Sequence, residues 1–391
     1  MNKQIILLIF LGLISSNSFA LDPVVIGFDG TYGLKGATSA TAIERGAQIA
    51  IEEINEAGGV LNGRPLKLIT TDNRMSPPRG LENLKQFAKD PNLVAVLGGR
   101  FSPVILKQLK LLHDLKIPLL DVWGSANGIT DHDFQPSYTF RVSLKDDIAI
   151  PAMLNYARSR GLKKIGVLLI NGTWGRSNHK EINRYVISHP DMEVVKEIWH
   201  YHGETNMLAA YNELKQAGAQ AIIFIGTSKV GSALVRQMVE KAELPLLPII
   251  SHWGISGGTF FEQTNGAINK VDLVMVQTFS LYKANPVIRN KVMLIAKKLY
   301  DIDDVSQIKS PVGFGHAYDA VHILAKAIKI AGSTDRESIR NALEKVKNYQ
   351  GLVRNYGQVF SAQDHDALNA EQVFMTRYQK DGVIVPLQTN E

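Results

Sequence analysis

Short apolar runs alternate with helix-like runs along almost the whole chain, and that rhythm leaves few folds open. Val24 to Phe28 is a short apolar run. Ala42 to Ala57 then sets Ile43, Ala47, Ala50 and Ile54 on one helical face and stops at Gly58-Gly59, a helix C-terminal signal. Leu66 to Thr71 reads as a strand, Pro78 to Lys89 as a helix, Val94 to Gly98 as a strand, Pro103 to Leu115 as a helix and Pro118 to Leu120 as a strand. The rhythm pauses near Arg141 to Asp147. It resumes with strands at Lys164 to Ile170, Glu193 to Ile198, Ala221 to Ile225 and Leu246 to Ser251, and with helices at Asn206 to Ala217 and Lys229 to Lys241. A further strand starts at Val274, followed by helices at Pro286 to Tyr300, His316 to Ala331 and Asp335 to Val346; Leu352 to Phe360 and Gln372 to Tyr378 read as strands. Such an order predicts an α/β fold with parallel sheets covered by helices on both faces. A similar unit is built twice in tandem without a Pro/Ser-rich linker, which suggests two lobes and a ligand cleft between them.

The chain has 391 residues, more than one ordinary core holds, so about two domains are expected. Residues 1–20 read as a cleavable secretion signal: Lys3 gives a basic start, Ile5 to Ile14 an apolar stretch too short to span a bilayer, and Ser18-Phe19-Ala20 small residues for cleavage after Ala20. The expected address is the periplasm. There is no cysteine, hence no disulfide and no lipid-anchor cysteine. The formal net charge is +6, but the basic residues are dispersed, so nucleic-acid binding is not expected.

One turn carries most of the functional signal. Ser102 follows the strand-like run Leu93 to Gly99 and precedes a helix-like run, with Ser102 as its expected N-cap and Pro103 as its first residue. Free backbone N–H groups and the positive end of a helix dipole then lie at the carboxyl edge of a sheet, where α/β proteins hold small anionic groups. The next strand ends in Asp121-Val122-Trp123-Gly124-Ser125, a second polar cluster. Together they predict a pocket for a small polar molecule.

Several segments resemble the leucine/isoleucine/valine-binding class of periplasmic solute-binding proteins: Ile26-Gly27, Ala50 to Val60 with Asn62-Gly63, Leu97-Gly98-Gly99 before Ser102, Ile117-Pro118 before Asp121, and Ala317-Tyr318-Asp319-Ala320-Val321. The resemblance covers essentially the whole chain after residue 20. It implies two Rossmann-like lobes joined by a three-crossing hinge, discontinuous in sequence: 22–142 plus 276–346, and 143–275 plus 347–391. It also implies a monomer that captures a small carboxylate or amino-acid-like ligand, without a cofactor, and delivers it to an ABC permease in the inner membrane. By the same resemblance Ser102, Trp123 and Ser125 hold the ligand carboxylate. Trp174 and Thr227 fall where the family approaches the ligand amine. Trp253 stands where amino-acid binders present an acidic residue to the ammonium. A buried amine needs a counter-charge or an aromatic face, so losing that acid points to an organic acid with an apolar or aromatic part. Trp123, Trp174 and Trp253 suit such a body, and Arg100 and Phe101 add a bidentate carboxylate contact and a ring. Asp121 is the alternative, a relocated amine partner that would restore an amino-acid ligand.

Each residue also has a plainer role: capping for Ser102 and Ser125, packing for the tryptophans and for Phe314 (a weaker pocket candidate), an ion pair for Arg100, and a turn cap for Asp121. Tyr318 and Asp319 are expected to pack near the hinge. His200, His202 and Asp131-His132-Asp133 lack the spacing of a metal site. Gly254-Ile255-Ser256-Gly257-Gly258 fits G-x-S-x-G, with Asp319 and His322 downstream, so a serine hydrolase using Ser256 is a remote alternative; the glycines that follow read as loop, not as a nucleophile elbow. A further alternative is a receptor that reports ligand occupancy to a membrane signalling protein.

Overall fold

The computed structural model describes residues 21–34 and 36–388; the expected signal at 1–20 lies outside them. Two main sheets organise the chain. The first is built from β1 (Val24–Gly30), β2 (Leu66–Asp72), β3 (Leu93–Gly98), β4 (Leu119–Asp121) and β5 (Thr139–Arg141). All its pairings are parallel, in the order β2-β1-β3-β4-β5. Between the strands run α1 (Ser39–Glu56), α2 (Pro77–Phe87) and α3 (Ser102–Asp114). After β5 come α4 (Asp146–Ser159), β6 (Lys164–Ile170), α5 (Thr173–Ser188), β7 (Glu193–His200), α6 (Leu208–Gln216), β8 (Ala221–Ile225), α7 (Ser228–Lys241), β9 (Ile249–Ser251), α8 (Phe260–Gln263) and β10 (Leu273–Gln277). The chain then returns through α9 (Pro286–Tyr300), α10 (Pro311–Ala331) and α11 (Arg336–Leu343), and ends in β11 (Lys347–Gln350), β12 (Asn355–Gln358), β13 (Phe374–Tyr378) and β14 (Ile384–Pro386). The second sheet has the order β14-β13-β10-β9-β8-β6-β7, parallel except where β13 joins β10 and β14. β11 and β12 form a separate antiparallel hairpin.

Strands β1, β3, β8 and β10 are buried along their whole length, which is why they read as near-continuous apolar runs. Along β1, Val24, Ile26 and Phe28 join the core cluster that holds Ile43, Ala47 and Ala50 of α1. Val25 points the other way, into a cluster with Leu84, Phe87, Ile105 and Leu112 of α2 and α3. β8 repeats the device: Ala221, Ile223 and Ile225 face one cluster, Ile222 and Phe224 the other. Period-two alternation between two covered faces is the doubly wound architecture the rhythm predicts.

The returning segment packs α10 against α1. A β-carbon at Gly46 would lie 2.1 Å from Phe314 O, so the close approach of the two helices requires glycine there. Phe314 itself is a core residue, not a cleft residue. The hairpin belongs with this side too. Tyr349 and Tyr356 donate to Asp319 of α10, at 3.1 and 2.9 Å, and Asp319 also accepts from Leu352 and Val353 N–H. Arg141 of β5 pairs with Asp366 at 2.9 Å. Residues 347–366, expected with the second lobe, are thus bonded to first-sheet elements, while β10 lies wholly in the second sheet.

Two long helices, α4 and α5, and the single-turn α8 escaped the sequence pattern. α4 carries Pro151, which removes one backbone donor and masks the helix signal. α5 buries Gly175, Asn178, Glu181, Ile182 and Tyr185, so polar residues carry much of its inward face. Asn178 donates to Trp174 O and Glu181 accepts from Asn127, which makes that face possible.

Candidate ligand site

One cavity of about 150 Å³ lies between the two sheets, and its lining comes from the carboxyl ends of their strands. The first sheet supplies Arg100, Phe101, Ser102 and Pro103 after β3, Trp123 and Ser125 after β4, and Met75 beyond β2. From the second come Ile170, Asn171, Gly172 and Trp174 around the β6–α5 turn, His202 after β7, Thr227 after β8, and Trp253 and Gly254 after β9. A crevice outside strand carboxyl ends is where doubly wound sheets bind ligands.

The first-sheet wall is internally braced. Phe101, not Ser102, is the N-cap of α3; Ser102 is its first helical residue, so the helix starts one residue earlier than expected. The Ser102 hydroxyl accepts from Ala126 N–H at 3.2 Å, which ties the α3 start to the turn after β4. Ser125 sits in that turn, and its carbonyl accepts from Asp146 N–H at 2.8 Å. Trp123 is fully buried, 5.7 Å from the ring of Trp253.

Asp121 does not reach the cavity. Its Oδ1 accepts from Gly124 N–H at 2.9 Å and Trp123 N–H at 3.3 Å, and burial pushes its pKa up to about 7. It caps the turn that carries Trp123 and Ser125. The relocated-amine-partner expectation therefore gives way to the plainer turn reading.

Arg100 crosses from wall to wall. Its Nη1 donates to Gly257 O at 2.8 Å and its Nη2 to Gly254 O at 2.6 Å, both in the segment after β9. The guanidinium lies 5.0 Å from the Phe101 ring. Burial lowers its pKa to about 10, and among the described residues no carboxylate pairs with it.

On the second-sheet wall, Trp174 is aimed by its neighbours. Its Nε1 donates to Asp146 Oδ1 at 3.3 Å, and its ring meets His252 edge-on at 5.1 Å. His252 Nε2 lies 3.2 Å from the same Asp146 oxygen, and both side chains are fully buried. A β-carbon at Gly254 would fall 2.3 Å from Gly226 O and 2.6 Å from the Trp174 ring, so only glycine lets the indole lie there. Thr227 is the N-cap of α7 without a capping bond, and its buried hydroxyl has no partner. The pKa of His202 is lowered by burial and by the nearby charges of Arg100 and Lys229.

Apart from Asp121 and the weaker candidate Phe314, every residue expected at the site lines this one cavity. His202 was missed as a site residue. Its signal was its place two residues beyond β7, a strand end like the others. Ser256 is buried and donates to Trp253 O at 2.7 Å, while Asp319 is engaged by the hairpin tyrosines, so no triad forms.

A family model described as "Periplasmic binding protein" matches residues 23–382. The chain belongs to the periplasmic binding protein family. It is 24% identical over 247 residues to the amino acid binding protein of Pseudomonas aeruginosa, a match covering 61% of this chain and 63% of that relative's length. It is 25% identical over 330 residues to the leucine-, isoleucine-, valine-, threonine-, and alanine-binding protein of the same organism, covering 84% of each. Among solved structures, the periplasmic binding protein type 1 of Bordetella pertussis superposes with a TM-score of 0.83 at 20% identity, over 94% of this chain and 100% of that one. LivJ of Streptococcus pneumoniae, in complex with isoleucine, gives 0.78 at 21% identity over 94% and 100%. A solute binding protein of R. palustris, in complex with benzoate, gives 0.77 at 16% over 93% and 95%. The resemblance to the leucine/isoleucine/valine-binding class and the two-lobed α/β fold are borne out. These relatives are binding proteins, and this family member is a solute-binding protein of the periplasm, not an enzyme.

Proposed function

We propose that this periplasmic binding protein captures a small organic acid with an apolar or aromatic body and passes it to an ABC importer. The observation that carries the reading is the cavity's imbalance: it holds a buried guanidinium, Arg100, and three indoles, Trp123, Trp174 and Trp253, but no Asp or Glu. An ammonium enclosed there would meet a like charge and no counter-ion, whereas a carboxylate would meet Arg100 and the α3 N-terminus. Ser102 and Ser125 hold the acid group, Trp174 and Trp253 cover the body, and Phe101 and Thr227 complete the enclosure. Solved structures of similar fold have benzoate, 3,4-dihydroxy benzoic acid and 4-hydroxybenzoate bound, which is in keeping with this class. Ligand binding favours the closed arrangement only by as much as the ligand prefers it, and the permease reads that arrangement.

Native mass spectrometry of gently purified protein, followed by denaturing release, tests the ligand class. An organic acid without an amine is the expected occupant; an amino acid would overturn the reading. Deleting the gene should then abolish uptake of the acid, while intact uptake with a lost transcriptional response would replace delivery by sensing.

A further inference from the structure

The second-sheet wall has polar capacity that a simple monocarboxylate leaves unused. α5 and α7 both start at the cavity, through Gly172 and Thr227, so two helix N-termini open on this wall in addition to α3 opposite. Gly172 has no side chain to cap α5, and the Thr227 side chain makes no capping bond to α7. Thr227 lines the cavity, is 5% exposed, and its hydroxyl has no hydrogen-bond partner. A buried unpaired hydroxyl costs about 1–3 kcal/mol, so a site that keeps one is organised for a group that arrives with the ligand. The surroundings fix the sign of that group. Arg100 reaches this side through its bonds to Gly254 and Gly257, and no acidic residue lines the wall.

We infer that the ligand is a dicarboxylate: one acid group sits at the α3 start with Ser102, and the second, across a flat apolar body, sits at the α7 start with Thr227 and His202. This rests on the organic-acid reading above and names its substrate class. His202 lines the cavity on the same side; burial first, then the positive charges of Arg100 and Lys229, hold its pKa down, and those charges would favour an anion beside it. The indoles of Trp123, Trp174 and Trp253 line the space between the two ends, where the apolar body lies.

The test is calorimetric titration of the full protein with benzoate, with its 1,3- and 1,4-dicarboxylates, and with L-leucine. At least one dicarboxylate should bind tenfold or more tightly than benzoate. Thr227→Val should cut that preference at least threefold, and Thr227→Ser should restore it. Benzoate binding as tightly as both diacids, or a diacid preference untouched by Thr227→Val, would overturn the dicarboxylate inference and leave the organic-acid reading standing. Binding of L-leucine alone would overturn that reading itself.

Discussion

On the first-sheet wall of the cavity the Ser102 hydroxyl and the Asp121 carboxylate are already engaged by backbone N–H groups. Ser102 accepts from Ala126 N–H, and Asp121 caps the turn beneath Trp123. On the facing wall the Thr227 hydroxyl has no partner, and Trp174 is held by a buried carboxylate and imidazole behind it. The first wall is set before a ligand arrives, as a preorganised anion site should be; the second keeps its bonding capacity for the ligand. On the proposed function, recognition of the acid group belongs to the first wall and discrimination among acids to the second. Arg100 joins the two, since it rises from the α3 turn and bonds to carbonyls across the cleft.

The sharpest way to break this contrast is to remove the cation common to both walls. Arg100→Met should weaken binding of an organic acid by about 2–4 kcal/mol, the scale for truncating one partner of a buried charge pair. Titration calorimetry would show it; unchanged affinity would take Arg100 out of the site. Ser102→Ala should cost about 1–3 kcal/mol of binding, in line with losing a hydrogen bond to a charged group. A loss spread equally over all acids tested would keep Ser102 on the common carboxylate, whereas a selective loss would move discrimination to the first wall. Gly254→Ala should lower stability by about 1–3 kcal/mol through overpacking. The displaced indole should also change the near-ultraviolet signal of Trp174, and a variant with wild-type melting and spectrum would contradict the close contact.

Asp121→Asn is the smallest effect on binding and the cleanest control. Affinity should stay within twofold, because the side chain faces a turn. Its pH effect has a definite sign. The folded pKa is raised to about 7 by burial, so the native state holds the proton more tightly than the unfolded chain. The resulting stability is full below about pH 4, the ordinary carboxyl range, and is lost as pH rises through about 7. Denaturant melts from pH 4 to 8 should therefore fall less steeply for the variant than for the parent; parallel curves would remove Asp121 as a titrating group.

The sheets were legible because strands buried on both faces are apolar without interruption, and the site turns because strand ends announce themselves with small and polar residues. Trp174 was found from its place after β6, yet the helix it starts was not, since Asn178 and Glu181 occupy positions where apolar residues would have shown the period. Asp121 misled for a related reason. A carboxylate at a strand end reads the same in one dimension whether it faces a ligand or its own turn, and only the direction of its bonds to Trp123 and Gly124 decides. The hairpin's attachment to Asp319 depends on long-range contacts that no local pattern records.

The central claim, that the cavity takes an acid and has no place for its amine, is tested most directly by a matched pair differing only in that group. Calorimetric titration with 4-methylpentanoate and with L-leucine compares the same carboxylate and the same branched body without and with the ammonium. The account predicts tighter binding of 4-methylpentanoate. Tighter binding of L-leucine would contradict it and hand the ammonium to the indole faces.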